Sequence, residues 1–172
     1  IGPDDFPFPF PLVAQDGRWR FDAKQGNTEV LDRRIGRNEL SAISVCLAYV
    51  DAQREYATRD RDANGLLEYA QKLTSSPGRQ DGLYWETTQG EPPSPVGPLV
   101  ARARGQGYGH GGSDVPYHGY LYKILTGQGK DAPGGAYDYV VDGRMIGGFG
   151  LVAYPARYGV SVPARDDDSG RP

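Results

Sequence analysis

From Asn38 to Ala57 the chain contains neither glycine nor proline, although the whole sequence carries 25 Gly and 14 Pro. Within that stretch Leu40, Ile43, Leu47 and Val50 recur at three- and four-residue steps beside Ala42, Cys46, Tyr49 and Tyr56, the period of one face of an α-helix. The pattern predicts a helix over 38–57, capped by Asn38, with that apolar face packed centrally on a sheet. Asp51, Arg54 and Glu55 fall on its polar side. A shorter helical segment around 28–34 is expected before it, with Gly36 as the break. Arg33, Arg34 and Arg37 cluster there, as an anion site at a helix start or, more commonly, as solvated charge.

Glycine and proline concentrate elsewhere and set turns. The run Pro3–Pro11 alternates proline with aromatic residues and reads as an extended edge segment lying over the core. Asp16-Gly17 and Asp142-Gly143 each sit between apolar runs, Leu12–Gln15 with Arg18–Phe21 and Tyr137–Val141 with Arg144–Tyr154, which is the signature of a two-residue hairpin turn. Gly147, Gly148 and Gly150 in the second return strand point to a bulge or a close neighbouring backbone. The Pro- and Gly-dense 76–97, around Leu83-Tyr84-Trp85, is expected to be an irregular loop. Leu99–Arg104 reads as a short helix, followed by the glycine-rich 105–112, the expected mobile segment. Tyr117–Leu125 reads as a strand with His118, Tyr120, Tyr122 and Ile124 on one face. The fold class expected is α+β: one long central helix on an antiparallel sheet built from hairpins, loop-rich, as a single domain over 1–158. The polar tail over 159–172 is expected to be disordered.

At 172 residues one domain is the natural size. No stretch approaches the roughly 20 apolar residues of a membrane span, and mean hydropathy is −0.59. The chain opens on Ile1 with no charged leader before an apolar run, so the expectation is that a targeting signal has been removed. With 19 Lys+Arg against 22 Asp+Glu, it lacks the basic footprint that nucleic acid requires. Cys46 cannot form an internal disulfide and reads as a small, inert helix residue. Two histidines and one cysteine are a poor supply for zinc.

Two constellations carry candidate chemistry. Asp60-Arg61-Asp62-Ala63-Asn64-Gly65 matches the first half of a calcium loop, in which alternate oxygens face a hard cation and glycine makes the sharp turn. Asp60, Asp62, Asn64 and Glu68 are the candidate ligands for a structural Ca²⁺. Gln71 stands where a bidentate glutamate would complete the set, and the same composition also describes a plain helix-ending turn. The second constellation is Tyr117, His118, Tyr120 and Tyr122, near His110 of the glycine-rich loop. It reads as a surface for stacking on sugars or peptides, or as half-buried tyrosines with wet hydroxyls. Nucleotide loops fail: Gly105–Gly109 lacks the flanking strand and helix, and Gly129-Lys130 is followed by Asp131. No G-x-S-x-G elbow is present. Glu86, Glu91, Asp81 and Asp138 could supply a carboxylate pair.

The segments Asp32–Glu39, Tyr49–Tyr56, Asp81–Trp85 and Pro133–Tyr139 resemble an uncharacterised bacterial family catalogued as domain of unknown function 2950, from about Phe6 to Gly159. That resemblance implies an exported protein with a signal peptide, hence a periplasmic or extracellular location, and brings no activity. The chain departs from the family after Tyr158, where members continue through another strand pair, and at Asn64, where Asp is more typical. More loosely, the order of helix, acidic loop, strand and hairpin is similar to the globular heads of type IV pilin-like and pseudopilin proteins.

Together these features favour an exported cell-envelope domain that binds a protein or envelope component without catalysis, with calcium at Asp60, Asp62, Asn64 and Glu68. The competing expectation is a periplasmic or extracellular hydrolase acting on a glycan or peptide, with His118 and Glu86 as acid and base.

Overall fold

The computed structural model describes residues 7–108 and 115–157. Pro3–Phe6, His110 with Gly109–Gly112, and the 159–172 tail lie outside the described residues.

The chain opens with the first of the expected hairpins. β1 (Leu12–Gln15) pairs antiparallel with β2 (Arg18–Phe21), Gln15 opposite Arg18. Asp16 and Gly17 both have positive φ, 54° and 72°, as this two-residue turn requires. One residue later Asp22 starts α1 (Ala23–Tyr56): its Oδ1 accepts the Gln25 N–H at 3.0 Å, and its own N–H donates to the Pro11 carbonyl at 2.9 Å. The two helical segments expected from sequence are therefore one helix of 34 residues, about 51 Å long at 1.5 Å per residue. Gly36 does not break it. A mid-helix glycine costs only about 1 kcal/mol against alanine, and a Cβ added there would meet nothing. Asn38 is no cap; it is buried on the inner face. Gly26 is needed for a different reason, since a Cβ there would lie 1.9 Å from the Phe10 ring, which sits against the helix.

The face of α1 that enters the core is the expected one only in part: Ala42, Tyr49 and Tyr56 lie in it, the large aliphatic residues do not. Ala42, Val45, Tyr49, Ala52, Gln53 and Tyr56 are buried, whereas Leu40, Ile43 and Leu47 are 66%, 57% and 63% exposed. Both sets have helical spacing. What separates them is fit: Ala42 and Ala52 present little bulk toward the partner strands, and Tyr49 and Gln53 find hydrogen-bond partners inside. Gln53 is fully buried. Its Nε2 donates to the Ala70 carbonyl at 2.8 Å and to Tyr49 Oη at 2.9 Å, and its Oε1 accepts the Ala70 N–H at 2.8 Å. Tyr49 Oη in turn donates to the Gly150 carbonyl at 3.2 Å.

After α1 the chain is irregular up to α2 (Gly97–Gly105), as expected for 76–97. β3 (Tyr120–Leu125) then pairs antiparallel with the distant β8 (Gly150–Pro155), and α1 packs against β8. Between them lie β4 (Gly127–Gln128) with β5 (Tyr137–Asp138), and β6 (Val140–Val141) with β7 (Arg144–Met145) around Asp142-Gly143. The fold is α+β, a long helix with small antiparallel sheets, and among the described residues the strands pair two by two. Gly147 marks the close approach anticipated for it: a Cβ would sit 2.6 Å from the Asp138 carbonyl. The core is Tyr49, Ala52, Tyr56, Ala70, Leu83 and Val96, continuing through Ala42, Val45 and Tyr122. No described helix is long and apolar enough to cross a membrane.

Replacing Gln53 by Leu strands the Ala70 N–H and carbonyl, a loss of about 2–4 kcal/mol. That corresponds to a melting temperature roughly 5–15 °C lower for a chain of this size. Leu47→Ala, on the outer face, is expected to change stability by no more than about 0.5 kcal/mol. Thermal and urea unfolding of the two variants measure both.

Candidate functional site

His118 and Gly119 have φ of 50° and 77°. They form the two-residue turn of a third tight hairpin, in which Tyr117 and Tyr120 exchange both backbone hydrogen bonds, at 2.9 and 3.1 Å. β3 therefore begins at Tyr120, and His118 does not share the face of Tyr120 and Tyr122. Its turn carries Tyr117 back over the sheet. There Tyr117, His118 and Tyr108 form an aromatic group with ring centroids 4.3 to 5.3 Å apart. Tyr117 Oη donates to Gln106 Oε1 at 3.1 Å, and Tyr108 Oη lies 3.5 Å from His118 Nδ1. Burial lowers the His118 imidazole below its ordinary 6.5, so it is neutral at pH 7.

Beneath these rings is an apolar cavity of about 160 Å³. Val45 and Tyr49 of α1, Leu99, Val100 and Ala103 of α2, and Tyr122 and Leu151 of the β3–β8 pair form its walls. Tyr108, Val115 and Tyr117 line it as well. Tyr122 is 8% exposed, and its hydroxyl is buried without a hydrogen-bond partner among the described residues. Burial also pushes that hydroxyl's pKa up, and the nearby Cys46, itself raised by burial, adds to the shift. Both groups are protonated at neutral pH. Of the four aromatic candidates, Tyr117 and Tyr122 line the cavity, His118 meets the Tyr117 ring edge-on, and Tyr120 packs on the neighbouring core cluster.

Leu73, Thr74 and Tyr84 supply another wall and belong to a loop that is closed on itself. The Ser75 N–H donates to the Tyr84 carbonyl at 2.7 Å and the Tyr84 N–H to the Leu73 carbonyl at 2.9 Å. Gly82 lies against this crossing, where a Cβ would approach Thr74 and Ser75 backbone atoms to 2.8 Å. Asp81 fastens the base. It accepts from Lys72 Nζ at 2.7 Å, from the Ser76 N–H at 2.7 Å and from Ser76 Oγ at 3.0 Å. These partners, Lys72 first, hold its carboxyl at about 2, below the usual 3.8.

The acidic loop after α1 does gather its expected residues. Asp60 accepts the Asn64 and Gly65 N–H groups at 3.2 and 2.8 Å, so it caps the turn, and the Gly65 contact leads in lowering its pKa. Asn64 Nδ2 donates to Asp62 Oδ1 and to Glu68 Oε1, while its Oδ1 accepts the Leu66 N–H at 2.8 Å. Arg144 of β7 donates to Glu68 Oε1 at 2.6 Å and stands 3.8 Å from Asp62 Oδ2. A guanidinium and an amide N–H₂ thus face the two carboxylates, and Asn64 turns its oxygen away from them. Among the described residues no group of three or more His, Cys, Asp or Glu side chains is arranged to hold a metal ion.

Glu86 is exposed and lies 3.6 Å from Arg104 Nη2, in a cleft of about 700 Å³ shared with Glu91, Tyr84 and Trp85. No hydrogen bond or ion pair joins it to His118. Two features of the candidate site escaped the sequence reading. The turn at His118-Gly119 had a signal, because His is enriched with Asn and Asp among residues of positive φ. The cavity had none, since its walls come from five separated stretches.

The profile of a family described as Protein of unknown function (DUF2950) matches residues 1–162. No curated protein and no solved structure matches the chain.

Because the Asp81 carboxyl is depressed on folding, its contribution is present above the unfolded value near 3.8 and is lost as pH falls through about 2. Asp81→Asn is therefore expected to lower the melting temperature by a few degrees at pH 7, a modest effect because the pair is largely exposed. The gap to the parent should close as pH approaches 2, which a melting series from pH 7 to 2 reads directly.

Proposed function

The chain belongs to the family described as Protein of unknown function (DUF2950), and on that footing we propose that it is an exported cell-envelope domain that works by binding a protein or envelope component. The observation that carries this reading is the apolar cavity lined by Tyr108, Tyr117 and Tyr122. A concave apolar site with few placed polar groups is the usual form of a binding pocket. At about 160 Å³ it is smaller than the roughly 300–1,000 Å³ of a whole-ligand site. It fits one ring-sized anchor group, the kind of buried contact that dominates an interface. The exposed stripe of Leu40, Ile43 and Leu47 on α1 supports the assembly side of the reading, because contiguous apolar surface marks interaction sites. A periplasmic or extracellular location is part of the same proposal and follows from the resemblance to exported proteins.

A photo-crosslinking residue at Val115, on the cavity rim, tests it in the native host. A discrete adduct with an envelope component is expected, lost when Ala103→Phe fills the cavity. An adduct pattern unchanged by Ala103→Phe, or a protein confined to the cytosolic fraction, contradicts the reading.

Calcium enters as a competitor of Arg144. To reach Asp62 and Glu68 the ion must displace the guanidinium, and the Asn64 amide must turn to present its oxygen. Calcium is expected to raise the melting temperature of Arg144→Met by more than that of the parent, with chelator reversing both rises. Flat curves for both proteins would remove the ion from the account.

A further inference from the structure

The outer side of α1 carries a repeat that the core does not use. Gly36, Ile43 and Val50 recur every seven residues with Leu40 and Leu47 between them, and Arg37, Ser44 and Asp51 follow the same step beside them. Seven residues are close to two turns, with a drift of about 20° per step, so each set runs along the helix as a line. Leu40, Ile43 and Leu47 are exposed, and so are Arg37, Ser44 and Asp51. An apolar seam flanked by charges is the layout of a helix that pairs with another helix. Gly36 belongs to the same seam. A Cβ there would meet nothing within 4 Å, so no packing among the described residues calls for a glycine that costs helix stability. Close passage of a second helix does. One and two repeats before Leu40 the line is covered by the chain's own arm, through Arg33 Nη1 on the Pro7 carbonyl at 2.7 Å and the Phe10 ring on Gly26. The open seam is therefore the stretch from Gly36 to Asp51.

The charges choose the occupant. Arg37 and Asp51 stand seven residues to either side of Ser44. About a two-fold axis at Ser44, a second copy laid antiparallel brings the Arg37 of each chain beside the Asp51 of the other and sets Leu40 against Leu47 across the seam. A parallel copy would face arginine with arginine and aspartate with aspartate, which flank charges disfavour. A self-complementary patch of this kind is what a two-fold contact between identical chains requires. Resting on the assembly side of the reading above, we propose that α1 pairs antiparallel with α1 of a second copy of this chain along the seam from Gly36 to Asp51. The seam is short beside the roughly 800 Å² per partner of a standard interface, so the pairing is concentration-dependent.

Sedimentation of the full chain from about 10 μM to about 1 mM reads the association. Ile43→Lys, at the exposed centre of the seam, is expected to melt as the parent does at the lowest concentration and to stay monomeric throughout. Arg37→Glu and Asp51→Lys are each expected to weaken the dimer about tenfold. The double variant restores opposite charges across the two-fold and is expected to return to within about threefold of the parent. Within one chain the two residues lie about four turns and 21 Å apart along α1, so that recovery arises only between copies. A parent that is monomeric over the whole range, a dimer that Ile43→Lys leaves intact, or single reversals with no recovery in the double variant overturns the proposal. A photo-crosslinking residue at Ile43 in the native host separates it from the reading on which it rests. An adduct of twice the chain's mass supports the pairing; adducts with another protein alone overturn it and leave the assembly reading standing; no adduct of any kind removes both.

Discussion

A carboxamide in the middle of a hydrophobic core is tolerated only when each of its hydrogen-bonding groups is used. Gln53 meets that condition by taking both backbone groups of Ala70 and donating to the hydroxyl of Tyr49, which reaches on to Gly150 of β8. Helix, post-helix segment and returning strand are thereby locked in one arrangement. Rotating α1 to bury Leu40, Ile43 and Leu47 would gain apolar area, but it would withdraw Gln53 from Ala70. An unsatisfied buried amide pair costs several kcal/mol, comparable with burying one or two aliphatic side chains, and it would also break the packing of Tyr49 and Tyr56. The exposed stripe is what remains on the other side of that choice.

The cavity follows from the same locking. Val45 and Tyr49 lie one helical turn apart on the face that Gln53 turns inward, so they become one wall. The second wall depends on the 72–84 loop, shaped by Asp81 and by the close backbone approach at Gly82. The roof depends on the positive-φ turn at His118-Gly119, which folds Tyr117 back toward Tyr108. Three local solutions, each driven by satisfying backbone groups, border a half-open space that no side chain of the described residues fills.

Elements with local signals were legible in the sequence. The Asp-Gly turns, the helix over 38–57, the short helix near Leu99 and the irregular 76–97 all rest on residues that act within a few positions of one another. The helix start was not, because Gly36 reads as a stop although cooperativity carries a long helix across one glycine, and the true cap, Asp22, sits directly behind a strand. The buried face was legible in part, through Ala42, Tyr49 and Tyr56; the rest was not, because two sets of residues share helical spacing, and bulk pointed to leucine while hydrogen bonding chose Gln53. The acidic loop was found by spacing, yet Arg144 reaches it from 76 positions away from Glu68, which no local pattern reports. His118 was assigned to a strand face because alternation was extended through a turn.

Amide hydrogen exchange at Ala70 tests the central claim most directly. Ala70 lies in no helix or strand, so its N–H is protected only through Gln53 and its burial. The account predicts exchange as slow as that of the α1 core amides, reached only through near-global unfolding. Exchange on the timescale of the exposed loops would mean that Gln53 does not hold that segment, and the inward face of α1, with the cavity built on it, would have to be assigned anew.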